Sequence, residues 1–331
     1  MLEEPETFGF LLAPKFSMMA FVSALEPLRV ANRLAQKELY RWEIVSRDGA
    51  PVAASNDLSL VADHAIDRRP GEGHSGKFAG VVVCASFEPE VHYDRRIGQW
   101  LKGLDRAGVA LGSIDTGSFF LAWAGLLDGY RATTHWESLD GFAERFPRID
   151  VGSGLFIIDR LRFTCAGGTA ALDMMLHLIR LRHGHQLAAA VSEQFIHSAI
   201  REPQERQRMG ANAREGVTKP GLSTAIEMME THLEELIGID ELCAAAGVSR
   251  RQLERLFHRH FRVSPQRYYI DLRLQRARAL LRYSDLAIVE IAVACGFGSA
   301  AHFSRTYRAW AGKPPIADRA HAPAEIIPSV R

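Results

Sequence analysis

Two serines fifty residues apart, Ser249 and Ser299, each head a run of residues suited to reading DNA. After Ser249 come Arg250, Arg251, Glu254, Arg255 and His258, all on one side of a helix of 3.6 residues per turn. A guanidinium matches the O6/N7 edge of guanine bidentately, and a glutamate accepts from the N4 amino group of cytosine. After Ser299 come Ala300, Ala301, Ser304 and Arg305. That set is poorer in base-reading groups and suits thymine methyls and phosphates. A different chemistry is written earlier in the chain. Asp115 closes an apolar run, Thr116-Gly117-Ser118 makes a turn, and a helical pattern follows. In α/β enzymes this strand–turn–helix geometry exposes a nucleophile beside free backbone N–H groups. Here the exposed position is an aspartate, a poor nucleophile towards amides. Two plainer roles stay open: Asp115 as N-cap of the helix, and His135 as a core histidine bonded to Asp115.

The reading groups need scaffolds. Residues 239–261 and 287–310 each carry a helix, a glycine turn (Gly247, Gly296) and a serine-capped second helix. Asp240 is expected to cap helix 241–246. Leu253, Leu256 and Phe257 recur at helical spacing and face a core, as do Ile288, Ile291, Ala292, Phe303, Tyr307 and Trp310. Ser264 and Pro265 start a helix to about residue 282, ~27 Å long at 1.5 Å per residue. Such a spacer holds two reading heads about one DNA turn (~34 Å) apart. Between residues 250 and 282 there are ten arginines against Glu254 and Asp271, a basic stripe overlapping the first motif.

The first two hundred residues alternate apolar, β-branched runs (8–13, 42–46, 80–85, 109–115) with helical patterns (17–36, 92–107, 118–124). Near-continuous apolar strands separated by helices imply a parallel sheet covered on both faces, an α/β three-layer sandwich. A hairpin is expected over 155–167, turning at Asp159 and Arg160, then helices over 169–183 and 186–200. Residues 201–221 are polar and rich in Gly, Pro and charge, and read as a linker. The expected organisation is therefore a domain over 1–200, a linker over 201–221, an all-α domain with two helix-turn-helix motifs over 222–320, and a tail over 321–331.

Bulk properties agree. A chain of 331 residues allows two cores, and 47% hydrophobic with 24% charged residues is ordinary for a globular protein. A net charge of +1 excludes a general polycation. The four cysteines, Cys84, Cys165, Cys243 and Cys295, form no CxxC pair and suit buried reduced thiols rather than a disulfide or zinc framework. No apolar run approaches the ~20 residues that span a membrane. No secretory signal is expected, and the compartment expected is the cytoplasm. No cofactor or metal is expected.

The strings GVSRRQLERLF, SPQRYYIDLRLQRARALL and IVEIAVACGFGSAAHFSRTYRAWAGKPP closely resemble the DNA-binding domain of AraC/XylS-type transcription regulators. The resemblance covers about a hundred residues. It implies an activator that contacts two adjacent major-groove segments of double-stranded DNA, recruits RNA polymerase and dimerises. It aligns Arg251, Glu254, Arg255, Ala301 and Arg305 with DNA-contacting positions, to which the capping position Ser299 and Arg250 are added. GSIDTGSFFLAWAGLLDGYRATTHW resembles the flavodoxin-like PfpI-like fold of class I glutamine amidotransferases, with Asp115 where catalytic members have cysteine. His135 matches the partner histidine and Glu26 the early glutamate of that fold. The combination resembles the GlxA-like subfamily, and FSMMAFVSALEPLRVANR is similar to members that respond to glycine betaine, carnitine or arginine. If Glu26, Asp115 and His135 converge, a cation would relieve the repulsion of two carboxylates. Thr116, Phe119, Trp123 and Trp136 are the further candidates, the aromatics as faces for a quaternary ammonium or, alternatively, as core. Two other readings stand beside a ligand-responsive regulator: a constitutive DNA-binding protein whose first domain only dimerises, and a DNA-tethered amidase-like enzyme.

Overall fold

A computed structural model describes residues 4–66, 78–208 and 220–319, which fall into two compact units divided after Gln207. The first unit opens with β1 (Glu6–Leu12), α1 (Met18–Ala35) and β2 (Tyr40–Ser46). Three two-residue strands follow: β3 (Val52–Ala53), β4 (Ser59–Leu60) and β5 (His64–Ala65). Then come β6 (Gly80–Ala85), α2 (Pro89–His92), α3 (Arg95–Arg106), β7 (Ala110–Asp115) and α4 (Gly117–Trp123). The unit finishes with β8 (Arg131–Ala132), α5 (Leu139–Arg145), β9 (Asp150–Val151), β10 (Phe156–Asp159), β11 (Arg162–Cys165), α6 (Ala170–His183) and α7 (His185–Gln194).

Seven strands make the main sheet in the order β10-β11-β7-β6-β1-β2-β5. Every neighbouring pair is parallel except the β10–β11 hairpin. Val82 and Cys84 of β6 join the core built with α1 and α6. Val81 and Val83 are as fully buried, and the pleat turns them to the opposite face. Both faces are therefore covered, which is why this strand reads as unbroken apolar sequence. The six parallel strands have their C-terminal ends on one edge, where loops can carry a site.

Several expected elements change in detail. The helix expected over 92–107 is two, because Asp94 leaves the helical conformation and caps α3 by accepting from the Ile97 N–H at 3.0 Å. The last helix ends at Gln194 rather than residue 200, and Ile196 turns the chain with φ 54°. α5 was not expected, since it buries only Gly141 and Phe142 and has too weak a stripe to be recognised. The expected linker also begins later. Residues 201–207 are bound to the first unit, with Arg201 seated on the buried Asp173 and Gln207 hydrogen-bonded to residues 133, 134 and 154. Residues 209–219 of the expected linker and the expected tail 321–331 lie outside the described residues.

The second unit contains the helices Pro220–Thr231, Ile239–Ala246, Arg250–Phe261, Pro265–Tyr283, Ile288–Ala294, Ala300–Ala311 and Pro315–Arg319. It has two small cores. Leu222, Ile226, Leu253 and Phe257 meet in one, and Ile291, Phe303 and Tyr307 in the other. The helix Pro265–Tyr283 gives Tyr269 to the first and Leu274 and Leu281 to the second, so it is a shared beam.

Candidate DNA-reading face and ligand site

The two helix-turn-helix motifs are set by local chemistry. Gly247 and Gly296 take the left-handed turn, at φ 64° and 69°, where a side chain is strained. Ser249 and Gln252 form a reciprocal capping box, at 3.3 Å and 2.8 Å. Ser299 caps its helix by accepting from the His302 N–H at 3.2 Å. Asp240 is not a cap: the helix starts at Ile239 from Gly238, whose N–H donates to the Glu241 carboxylate at 2.9 Å, and Asp240 sits in the first turn. There it still favours the positive helix end.

Leu253, Leu256 and Phe257 turn inward, which leaves Arg250, Arg251, Glu254, Arg255 and His258 exposed. Arg251, Glu254, Arg255, His258, Arg259 and Arg262 line one open cleft along this helix. Arg250 lies 3.6 Å from Glu254 one turn on, an exposed pair of little energetic weight that leaves both free to reorient. On the second motif Ser299, Ala301 and Arg305 are exposed, while Phe303 and Tyr307 are buried.

The basic stripe is not all available to DNA. Arg273 is buried and donates to the carbonyls of Cys295 and Gly296, both at 2.7 Å, and Arg276 donates to Ala294 O at 3.0 Å. These arginines cap the C-terminal end of helix Ile288–Ala294 and pin the second motif to the beam. Asp318 completes that motif. Its buried carboxylate accepts from the Tyr307 hydroxyl at 2.6 Å, and Lys313 and Arg278 pair with it at 3.0 and 3.3 Å. Sequence reasoning missed Asp318; the Pro314-Pro315 pair that starts its helix was the available signal.

In the first unit Asp115 ends β7 in the left-handed conformation, φ 59°. Two more non-glycine residues with positive φ, Lys15 and Glu88, follow the neighbouring strands β1 and β6 and form an ion pair. Strain of this kind persists only where the surroundings hold it. A side chain on Gly117 would approach the Val83 carbonyl to 2.2 Å, so the turn after Asp115 demands glycine. The elbow is held from outside as well. Thr134 Oγ1 donates to the Asp115 carbonyl at 2.9 Å, and Thr116 Oγ1 donates to Ser86 O at 2.6 Å. Ser118 sends its hydroxyl to the Thr133 carbonyl at 2.7 Å. The N-cap is Thr116, not Asp115.

Asp115 is 8% exposed. Burial pushes its carboxyl up to about 6, against the opposing effects of the His135 charge and hydrogen bonds from Ser86 and the Thr116 N–H. His135 is thus close enough to act on it, and Trp136, 38% exposed, stands beside His135 with ring centres 5.4 Å apart. Glu26 on α1 pairs with Arg29 at 2.6 Å. Phe119, 1% exposed, packs against Phe142 and Phe146, and Trp123 joins the same cluster with Tyr93. These two rings pack against each other within an aromatic cluster of the helix layer. A cavity of about 280 Å³ opens near the C-terminal ends of β1 and β2, between Ala13, Arg47, His92 and Tyr93; Asp115 and His135 are not among its walls. Cys165 is fully buried, and burial pushes its thiol up to about 12, so it carries no thiolate at neutral pH. Among the described residues no cluster of His, Cys, Asp or Glu is arranged to hold a metal, and no helix is long and apolar enough to cross a membrane.

Comparison with known proteins agrees with both halves. Residues 9–181 match the DJ-1/PfpI family, and residues 242–321 match a helix-turn-helix domain family. The chain is 49% identical over 318 residues to the HTH-type transcriptional regulator CdhR of Pseudomonas aeruginosa, covering 96% of this chain and 93% of that one. It is 40% identical over 305 residues to the HTH-type transcriptional regulator GlxA of Rhizobium meliloti, covering 92% of each. A crystal structure of an AraC family transcriptional regulator from Pseudomonas putida superposes with a TM-score of 0.51 at 29% identity, over 58% of this chain and 100% of that one.

Proposed function

Because the chain belongs to the family of HTH-type transcriptional regulators that join a DJ-1/PfpI domain to an AraC-type DNA-binding domain, we propose that it is a transcription activator switched by a small amine. The observation that carries this reading is the elbow itself. It keeps the strained backbone of a nucleophile site but presents a buried carboxyl, with an exposed tryptophan beside its histidine partner. A cation brought to Asp115 would replace solvent that burial has removed, and Trp136 can give a quaternary ammonium a π face. Glycine betaine, carnitine and arginine are the ligands assigned, with Asp115, Thr116, His135 and Trp136 as the site and Glu26 at its margin. The buried, protonated thiol of Cys165 argues against thiol catalysis. On DNA, Arg250, Arg251, Glu254 and Arg255 read base edges, and Ser299, Ala301 and Arg305 anchor the second motif. The working form is a homodimer that engages RNA polymerase, and binding shifts it because the ligand prefers one of two arrangements.

A thermal-shift panel of glycine betaine, carnitine, choline, arginine and neutral controls tests the reading. A selective, concentration-dependent rise in the wild type that vanishes in Asp115→Asn is expected. A rise of equal size in Asp115→Asn, or none with any amine, would overturn it.

A further inference from the structure

We infer that residues 201–207 are a strap whose last side chain, Gln207, latches the start of the linker to the Asp115 site, so that occupancy of the site sets whether the strap is docked. The inference rests on the ligand-sensing reading. The strap is fixed at its upstream end by Arg201, whose guanidinium and N–H bond the fully buried Asp173 at 2.6–2.9 Å. In the middle it adds to the edge of residues 154 and 155. Leu155 N–H donates to Glu205 O at 3.1 Å, and Gly154 pairs with Arg206 in an antiparallel bridge. Only glycine fits at 154, because an added methyl carbon would lie 2.3 Å from the Pro203 carbonyl oxygen.

At the downstream end the Gln207 amide nitrogen reaches three acceptors: Thr133 Oγ1 at 3.0 Å, Thr134 O at 3.0 Å and Gly154 O at 2.9 Å. Three acceptors around one nitrogen fix which way the amide points. Among the described residues its oxygen is buried without a hydrogen-bond partner. A buried acceptor left unpaired raises the free energy of the docked state, so the latch is held by a narrow margin. The residues it grips are those that hold the elbow. Thr134 bonds the Asp115 carbonyl, Thr133 accepts from Ser118, and His135 is next in the chain. A ligand between Asp115 and His135 must act on residues 133–135, of which Thr133 and Thr134 hold Gln207. By linkage, whatever the ligand does to the latch, the latch does to ligand affinity.

Hydrogen exchange on the full chain tests this, read at the Leu155 amide that Glu205 protects. Without ligand, Thr133→Val, which removes the Oγ1 acceptor of Gln207, should speed its exchange about fivefold or more, the ordinary worth of one hydrogen bond, with the unfolding midpoint little changed. Gly154→Ala should do the same by dislodging the strap without touching Asp115. With saturating glycine betaine, carnitine or arginine, whichever binds should change exchange at residues 133–135 and at Leu155 together. In Gln207→Ala the change at 133–135 should persist and that at Leu155 should disappear. Unaltered Leu155 exchange in Thr133→Val and Gly154→Ala, or binding that changes 133–135 alone, overturns the latch. If none of the three amines binds, the amine reading fails, and the ligand-free variants still decide the latch.

Discussion

Two buried aspartates, Asp115 in the first unit and Asp318 in the second, show two different uses of a carboxylate. Burial alone would raise the Asp318 carboxyl, but hydrogen bonds from Tyr307 and Lys313 and the charges of Lys313 and Arg278 outweigh it and hold it below the usual carboxylate range. At Asp115 burial wins, and the carboxyl is pushed up to about 6 despite His135 and Ser86. Asp318 is a satisfied charge that fixes a helix on the DNA-reading motif. Asp115 is an under-compensated charge on a strained backbone. A protein keeps the first for structure and tolerates the second where something else must bind.

The contrast makes opposite predictions for stability. Asp318→Ala should destabilise the chain by about 3 kcal/mol, because Tyr307 loses a buried acceptor while the cations, partly exposed, recover some hydration. Thermal unfolding measures this, and a loss below half of that would rank Asp318 with ordinary surface pairs. Asp115→Asn should instead stabilise by up to about 2 kcal/mol at pH 7.5. The sign follows from the raised carboxyl. The folded state holds the Asp115 proton until about pH 6, whereas the unfolded chain releases it near 3.8. Stability from this group is therefore present at low pH and lost as pH rises through 6, so the advantage of the asparagine variant should fade on acidification. Asp318 runs the other way, its contribution being lost as pH falls below the ordinary carboxylate range. An asparagine variant no more stable than the parent at pH 7.5 would break the comparison.

Smaller effects separate reading from folding within the second unit. Arg255→Ala should cost about 1–3 kcal/mol of binding to a selected operator and leave the unfolding midpoint unchanged, with the loss confined to one base position. Ser249→Ala should remove about 1 kcal/mol of stability, as expected for a lost helix cap. Arg305→Ala should weaken binding nearly equally on all sequences and lower the salt slope by about 1, which anisotropy titrations at several salt concentrations would show. Base-selective loss in Arg305→Ala would instead make the second helix a reader.

The DNA-reading unit was largely legible in the sequence because its rules are local. Ser249, Ser299, Gly247 and Gly296 act on groups within four residues, and the inward leucines and phenylalanines follow one period. The sheet was legible too, since strands covered on both faces read as apolar runs. The partners of Asp115 were only partly visible. His135 could be named, but Ser86 and Thr134 are ordinary residues brought to the elbow by neighbouring loops. Phe119 and Trp123 show why aromatic content misleads: spacing places them on a helix but does not say which layer they fill. Arg273 and Arg276 look like DNA-binding charge until their carbonyl partners are seen. Gln207 gave no signal at all, lying in a polar stretch that composition alone assigns to a linker.

The most direct test of the central claim is reporter transcription from a promoter carrying an operator selected with the full-length protein, in the wild type and in Asp115→Asn, with and without the amine that binds. The account predicts induction in the wild type and a flat response in the variant, with operator affinity without ligand the same in both. Equal induction in the two proteins would contradict it and place the sensing chemistry elsewhere in the chain.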